Sequence, residues 1–145
     1  MAFKFPLATV LRVRESIERR EELALQRIQL EMARVQHQIE AQNARIAAIR
    51  QAQDQALRQP IPAGQLQSME SEVQAADERK TALRNTLRTL AEQRDAQMKV
   101  YQAAHRDHET LISMFREQRE VYEREQERVQ QRSLDDIFMA RRHRS

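Results

Sequence analysis

The segment RQPIPAGQ, residues 58–65, contains the only glycine of the chain and two of its three prolines. Proline lacks an amide proton and clashes with the preceding helical turn, so this segment interrupts any helix that reaches it. The third proline, Pro6, lies near the start of the chain, where proline is compatible with the first turn of a helix. The 145 residues therefore contain two long segments that no glycine or proline interrupts.

The composition favours long helices over a compact globular fold. Charged residues make up 32% of the chain and aromatic residues only 4%, while Ala, Glu, Gln, Arg and Leu are abundant. These side chains lose little conformational freedom in a helix, and their combination with high charge is typical of coiled coils. Because 25 basic and 22 acidic residues are interleaved, the formal charge is only +3, and we expect no nucleic-acid partner.

The chain has no cysteine, which excludes disulfides and thiolate chemistry and is compatible with the cytosol. No uninterrupted apolar run precedes Arg12, so we expect no secretory signal. No stretch approaches the roughly 20 apolar residues of a membrane helix. We therefore expect a soluble cytoplasmic protein.

Both long segments carry a stripe of residues at alternating steps of three and four. This average period of about 3.5 residues predicts a coiled-coil seam. In the first segment the stripe consists of Leu7, Val10, Arg14, Ile17, Glu21, Ala24, Ile28, Met32, Val35, Ile39, Gln42, Ile46, Ile49, Gln53 and Ala56. In the second it consists of Leu66, Met69, Val73, Ala76, Lys80, Leu83, Leu87, Leu90, Arg94, Gln97, Tyr101, Ala104, His108, Leu111, Phe115, Gln118, Tyr122, Glu125 and Val129.

If the chain folds back at residues 58–65, stripe residues whose numbers sum to about 122 face each other. Leu83 then faces Ile39, and Leu111 faces Val10. The sequence thus predicts an all-α fold, an antiparallel two-helix coiled coil in the form of a long helical hairpin. The predicted boundaries are helix one at 7–58, the turn at 59–65 and helix two at 66–140, in a single domain over 1–145.

The second helix is predicted to overhang the first. Phe115 falls opposite Leu7, so Phe5 and Phe3 reach no further than Gln118 and Tyr122. Residues 123–145, here called the overhang, have no partner within the hairpin. They nevertheless contain Leu134, Ile137 and Phe138, spaced as one helical face. An apolar face without an internal partner is typical of an interaction site. The alternative interpretation, a frayed chain end, is less favoured here.

No motif in the sequence predicts catalysis. A single glycine excludes a phosphate-binding P-loop, which needs two. The segment HRDHE places His105 and His108 on one helical face, but two ligands are too few for a tight structural zinc site. A solvated edge of the coiled coil is the simpler interpretation. We expect a protein that is not an enzyme and that uses no metal or other cofactor.

The two ends of the sequence carry the pattern of a known family. The opening FKFPLATVLRVRESIERREELA begins aromatic–basic–aromatic. The residues of the pattern there are Phe3, Lys4, Phe5, Leu7, Val10, Leu11, Arg14, Glu22 and Ala24. The residues of the pattern in the C-terminal helix are Arg106, Glu109, Leu111, Tyr122, Glu125, Gln126, Leu134, Asp135 and Asp136. Through these residues the sequence resembles the FliJ family of flagellar export proteins.

This resemblance implies a stalk component of the flagellar type III protein export apparatus. The implied partners are the ring of the export ATPase, the cytoplasmic region of the export-gate membrane protein, and export chaperones. Association with the membrane is then peripheral and occurs only through partners. The expected ATPase-ring contacts are Phe3, Phe5, Leu134, Ile137, Phe138 and Arg141. The expected export-gate contacts are Met69, Val73, Ala76 and Lys80, for which ordinary seam packing is the alternative.

Two further interpretations remain open at this point. A generic coiled-coil scaffold or dimerising adaptor has a similar composition and predicts a parallel homodimer instead of a hairpin. The injectisome counterpart of the same stalk has the same architecture, and periodicity does not distinguish it from the flagellar protein.

Overall fold

A computed structural model describes residues 2–144 of the protein. It contains two α-helices, α1 (Ala8–Ala56) and α2 (Ala63–Arg144). The helices pack against each other as a hairpin, which confirms the predicted all-α fold. An ion pair between Arg50 and Glu70 joins α1 to α2 near the turn, and another joins Arg14 to Asp107.

The turn between the helices is shorter than the predicted 59–65. At the end of α1, the amides of Arg58 and Gln59 donate to carbonyls three residues back, at 3.3 and 3.2 Å. Such bonds tighten a last helical turn. At the start of α2, the Gln65 amide donates to the Pro62 carbonyl at 3.1 Å. The second helix therefore begins at Ala63, three residues before the predicted position.

Gly64 lies inside the first turn of α2, and its φ is not positive. The hairpin thus reverses direction without a glycine in the left-handed region. The prolines carry the interruption, because Pro60 and Pro62 have no amide proton with which to continue α1.

The contacts of the chain group into two compact units. One consists of Met1–Glu21 with Tyr101–Ser145, and the other consists of Glu22–Val100. The single domain over 1–145 stays a prediction, and the two units are described separately below.

The Glu22–Val100 unit contains the turn and a narrow apolar seam. Its buried side chains are Leu25, Val35, Ile39, Ile49, Val73 and Ala76. All of them except Leu25 belong to the predicted stripes. Gln42, also on the stripe, is half-buried, and its side-chain oxygen has no hydrogen-bond partner among the described residues. Apolar burial stabilises this unit, and a polar stripe residue interrupts it locally.

In the Met1–Glu21 and Tyr101–Ser145 unit, the seam begins differently from the prediction. Val10, expected to face Leu111, is 41% exposed, whereas Leu11 is half-buried. Leu11 donates its amide to the Leu7 carbonyl at 2.8 Å, and residues four apart share a face of a helix. The step from Leu7 is therefore four residues instead of three, and it brings Leu11 to the seam. The prediction for Val10 is wrong by one position.

The overhang remains helical up to Arg144, the last residue of α2. Every residue from 123 to 144 is exposed. Ion pairs four residues apart, Arg119–Glu123 at 3.2 Å and Arg124–Glu120 at 3.6 Å, lie where the exposed part begins. Strong helix formers and such pairs favour the helix here, since tertiary burial contributes nothing to it.

Candidate interaction surfaces

A cluster of exposed apolar side chains lies on the overhang. Leu134, Ile137 and Phe138 are 62%, 51% and 67% exposed. With Arg141 they occupy positions i, i+3, i+4 and i+7 of α2, which places all four on one face. We call these four residues the outer face. An exposed apolar cluster of this kind is typical of a protein-binding site.

The outer face is not a continuation of the coiled-coil seam. The seam stripe of α2 passes through Tyr122, Glu125 and Val129, and steps of three and four continue it to Arg132 and Asp136. At about 100° per residue, Leu134 and Phe138 lie well to one side of that stripe. A longer α1 would therefore not cover the outer face, so the face is available to a different partner.

Basic residues follow the outer face directly. The last turn of α2 contains Arg141, Arg142, His143 and Arg144. No acidic residue occurs after Asp136. Cations at a helix C-terminus interact favourably with the helix dipole, and they also make this end a site for an acidic partner.

The aromatic residues near the start of the chain have partners within the hairpin, and these lie no further along α2 than Tyr122, the limit that the pairing predicts. The Phe5 ring lies 5.4 Å from the Phe115 ring, and Phe5 is only 8% exposed. The Phe3 ring lies 5.6 Å from Phe115 and 5.4 Å from Tyr122. We call Phe3, Phe5, Phe115 and Tyr122 the aromatic cap. Phe5 is therefore part of the core, and only the half-buried Phe3 retains exposed surface.

An open groove adjoins the aromatic cap on the side of α2 that leads into the overhang. Its lining contains both apolar and charged side chains. The lining residues are Phe3, Lys4, Pro6, Glu117, Gln118, Val121, Tyr122 and Glu125. Phe3 is thus the one residue of the aromatic start that a partner could contact without disturbing the buried Phe5.

The four residues expected to contact an export gate differ in exposure. Val73 is 3% exposed and Ala76 is fully buried, so these two belong to the seam. Met69 and Lys80 are half-buried. Ordinary seam packing therefore accounts for Val73 and Ala76. Met69 and Lys80 retain exposed surface that a partner could contact.

A charged cluster joins the two helices near the turn. Arg50 Nη1 donates to Glu70 Oε2 at 2.8 Å, and Gln53 Nε2 donates to the same oxygen at 3.2 Å. The hydrogen bond from Arg50, followed by that from Gln53, lowers the pKa of Glu70. Both side chains of the ion pair are more than half exposed, so solvent screens their attraction and the pair contributes little to stability.

A second polar cluster joins the helices in the unit that contains the overhang. Glu18 accepts hydrogen bonds from Nδ1 of His105 at 2.8 Å and Nδ1 of His108 at 2.5 Å. The hydrogen bond from His105 is the main cause of the lowered pKa of Glu18, and the bond to Glu18 raises the pKa of His105. Both histidines are expected at a solvated edge of the coiled coil, and the sequence motif HRDHE does not reveal their carboxylate partner. The contact could have been predicted from the pairing sum of about 122, because that sum places position 18 opposite position 104, next to His105.

Within residues 2–144, no group of three His, Asp or Glu side chains is arranged to hold a metal ion. Neither described helix has a segment with the length and hydrophobicity needed to span a membrane. The surfaces of interest are therefore the outer face, the groove at the aromatic cap and the exposed parts of Met69 and Lys80.

Comparison with known proteins gives one finding that covers nearly the whole chain. A family model described as "Flagellar FliJ protein" matches residues 3–145. No curated protein and no solved structure gave a significant match. The match includes the aromatic cap, both helices and the overhang.

Proposed function

The chain belongs to the FliJ family of flagellar proteins, and from that premise we propose that its overhang enters the ring of the export ATPase. The family is a non-enzymatic component of the flagellar export apparatus. The hairpin serves as the stalk, and the outer face makes the contact with the ring. The protein would act in the cytoplasm and reach the membrane only through its partners.

The observation that carries this proposal is the exposed outer face on an unpaired helix. Leu134, Ile137 and Phe138 would cost free energy if they stayed in water, and α1 does not cover them. A helix with a projecting apolar face docks in a groove through residues spaced i, i+3, i+4 and i+7. This spacing is that of the outer face.

The same residues indicate the chemistry of the ring surface. Arg141 follows Phe138 on the outer face, and Arg144 lies one turn further along. We therefore infer that the ring offers an apolar groove bordered by acidic side chains. Charge complementarity of this kind increases the association rate and makes binding sensitive to salt.

The proposal is tested by substitutions on two faces of the same helix. Ile137→Asp places a charge on the outer face, and Val129→Asp places the same charge on the seam side of the overhang. Both residues are β-branched and similarly exposed, at 51% and 58%, so their effects on the helix are matched. Binding to the purified ring ATPase and stimulation of ATP hydrolysis are measured for each variant.

Ile137→Asp is expected to weaken ring binding by at least about tenfold, the range for an interface anchor. Val129→Asp is expected to bind within about threefold of the unmodified protein. Arg141→Glu is expected to lower the association rate and the salt dependence together. Equal binding by the two Asp variants would refute the assignment to the outer face.

For the export gate, we propose a contact that uses the accessible surface of Met69 and Lys80. Val73 and Ala76, the other two expected contacts, could take part only if the helices separated there, since both are buried. The outward parts of Met69 and Lys80 present an apolar group and a cation on the same helix. A gate surface with an exposed apolar site beside a carboxylate would complement them.

The gate proposal is tested with Lys80→Glu, and with Glu72→Lys as a control for charge reversal at an exposed site on the same helix. Binding to a fragment of the gate is compared with helicity by circular dichroism. Lost gate binding with unchanged helicity for Lys80→Glu alone supports the contact. Equal binding by both variants argues that Met69 and Lys80 serve only the hairpin.

Export chaperones are a third proposed class of partner, which rests on the family alone. The competing interpretation, a parallel dimerising scaffold, is disfavoured because each helix already has an antiparallel partner in the same chain. The injectisome alternative is disfavoured because the matching family model is flagellar.

A further inference from the structure

One carboxylate binds two histidines across the hairpin, in the unit that contains the overhang. Glu18 of α1 lies against His105 and His108 of α2, with one carboxylate oxygen for each ring. The two histidines are three residues apart, so they share a face of α2. Each ring can donate its Nδ1–H whether or not its other nitrogen is protonated.

We propose that Glu18, His105 and His108 form a clasp that holds α1 against α2 more firmly as the pH falls through neutrality. The clasp joins the two helices in the Met1–Glu21 and Tyr101–Ser145 unit, which contains the overhang. It differs from a simple surface ion pair because one acceptor engages two titratable donors in a fixed geometry.

The burial of the clasp favours this role. The Glu18 and His108 side chains are only 16% and 15% exposed, so solvent screens their interaction less than that of a surface pair. His105 is 49% exposed and also stacks on Tyr101, with ring centroids 6.1 Å apart. Protonation of a ring adds a positive charge to a hydrogen bond whose acceptor, the Glu18 carboxylate, is already ionised, and the resulting ion pair is stronger.

The surrounding charges favour the protonated form of His105 on balance. Glu109 adds a negative charge that acts on His105. Asp107 is bound to Arg14 at 3.4 Å, so those two charges largely offset each other. On α1, Glu21 pairs with Arg20 at 3.2 Å. Glu18 therefore remains the nearest opposite charge for both rings.

The direction of the pH dependence follows from these contacts. The raised pKa of His105 means that its stabilising effect is complete below about pH 6.5 and is lost as the pH rises through the raised value. The lowered pKa of Glu18 means that its effect is present above about pH 4.3 and is lost in stronger acid. The clasp is thus firmest between these limits and weakens above neutrality.

The Arg50–Glu70 pair provides a matched control in the other unit. It joins the same two helices through a carboxylate, and its donor is an arginine that stays protonated throughout this range. Removing that pair lowers stability without changing the pH dependence near neutrality.

The test compares thermal unfolding of the full chain at about pH 6 and about pH 8, followed by circular dichroism. The variants are Glu18→Gln, the double substitution His105→Gln with His108→Gln, and Arg50→Gln. Glutamine can still form hydrogen bonds but does not titrate. His37 and His143 remain in every variant, so their contribution to the pH dependence is constant.

The unmodified protein is expected to melt at a higher temperature at about pH 6 than at about pH 8. This difference is expected to shrink markedly in Glu18→Gln and in the double histidine variant and to persist in Arg50→Gln. A difference that persists unchanged without Glu18 would overturn the clasp.

Nuclear magnetic resonance titration of the histidine rings in the unmodified protein gives a second test, which does not depend on the variants being folded. The His105 ring is expected to titrate above the ordinary value of about 6.5. Titration of His105 at or below this ordinary value would overturn the proposal.

Discussion

Two parts of α2 in the same unit, Tyr101–Tyr122 and the overhang, have apolar residues at helical spacing but differ in burial. The first part packs Ala104, Leu111 and Phe115 in the seam, whereas the overhang exposes Leu134, Ile137 and Phe138. The first pattern follows steps of three and four that match α1, and the second lies on another face. Periodicity alone thus predicts a helix, and the partner of each face decides whether it serves folding or binding.

The largest effect is expected from a charge in the buried seam. Ala76 is fully buried, so Ala76→Asp forces an unpaired carboxylate between the helices and is expected to destabilise the hairpin by about 3–5 kcal/mol. Phe138→Asp on the overhang is expected to change stability by about 0.5 kcal/mol or less. Urea unfolding followed by circular dichroism measures both. Similar losses would contradict the division between the seam and the overhang.

A smaller effect is expected from the aromatic cap. Phe5→Ala removes a side chain that is 8% exposed and packed on Phe115, at an expected cost of about 2–4 kcal/mol. Phe138→Ala, the same chemical change on the exposed overhang, is the matched control and is expected to leave stability nearly unchanged. If Phe5→Ala leaves unfolding unchanged but abolishes ring binding, Phe5 is a contact residue as the sequence predicted.

The smallest effect is expected at the turn. Gly64 is helical, and an added Cβ would meet no atom within 4 Å. Gly64→Ala is therefore expected to stabilise the hairpin by about 0.5–1 kcal/mol, because alanine has less conformational freedom to lose. Ring binding by the overhang is expected to stay the same, which would show that stability and binding are separable. A destabilised hairpin would show that the turn needs the freedom of glycine.

The seam could be predicted from the sequence because it depends on period and on the position of the prolines. Val35, Ile39, Val73 and Ala76 were all placed on the stripes and are all buried. The pairing sum of about 122 agrees with the Arg14–Asp107 and Arg50–Glu70 contacts, each within its own unit.

Local details depended on contacts that periodicity does not encode. Leu11 replaces Val10 in the seam because the step from Leu7 is four residues. Phe3 and Phe5 are expected ring contacts, and the structure shows that both also pack on Phe115 or Tyr122, which leaves Phe5 little exposed surface. A pattern on one helix indicates which face is apolar. It does not indicate how a short extended segment will cover that face.

Three of the four residues of the outer face, Leu134, Ile137 and Phe138, were predicted from their spacing, and the identification of the outer face as the ring contact remains a proposal. Burial separates the two surfaces assigned to partners. Leu134, Ile137 and Phe138 are exposed to solvent, whereas Val73 and Ala76 are buried in the seam between the helices. This contrast makes the overhang the stronger candidate for a binding surface.

The most direct test of the account is hydrogen–deuterium exchange of the full chain with and without the assembled ring ATPase. Backbone amides of the exposed overhang exchange readily when it is unbound, and docking should slow them. We predict that slower exchange appears at residues 130–144, with little change at the buried Val73 and Ala76. Slower exchange around residues 69–80 with an unchanged overhang would contradict the account.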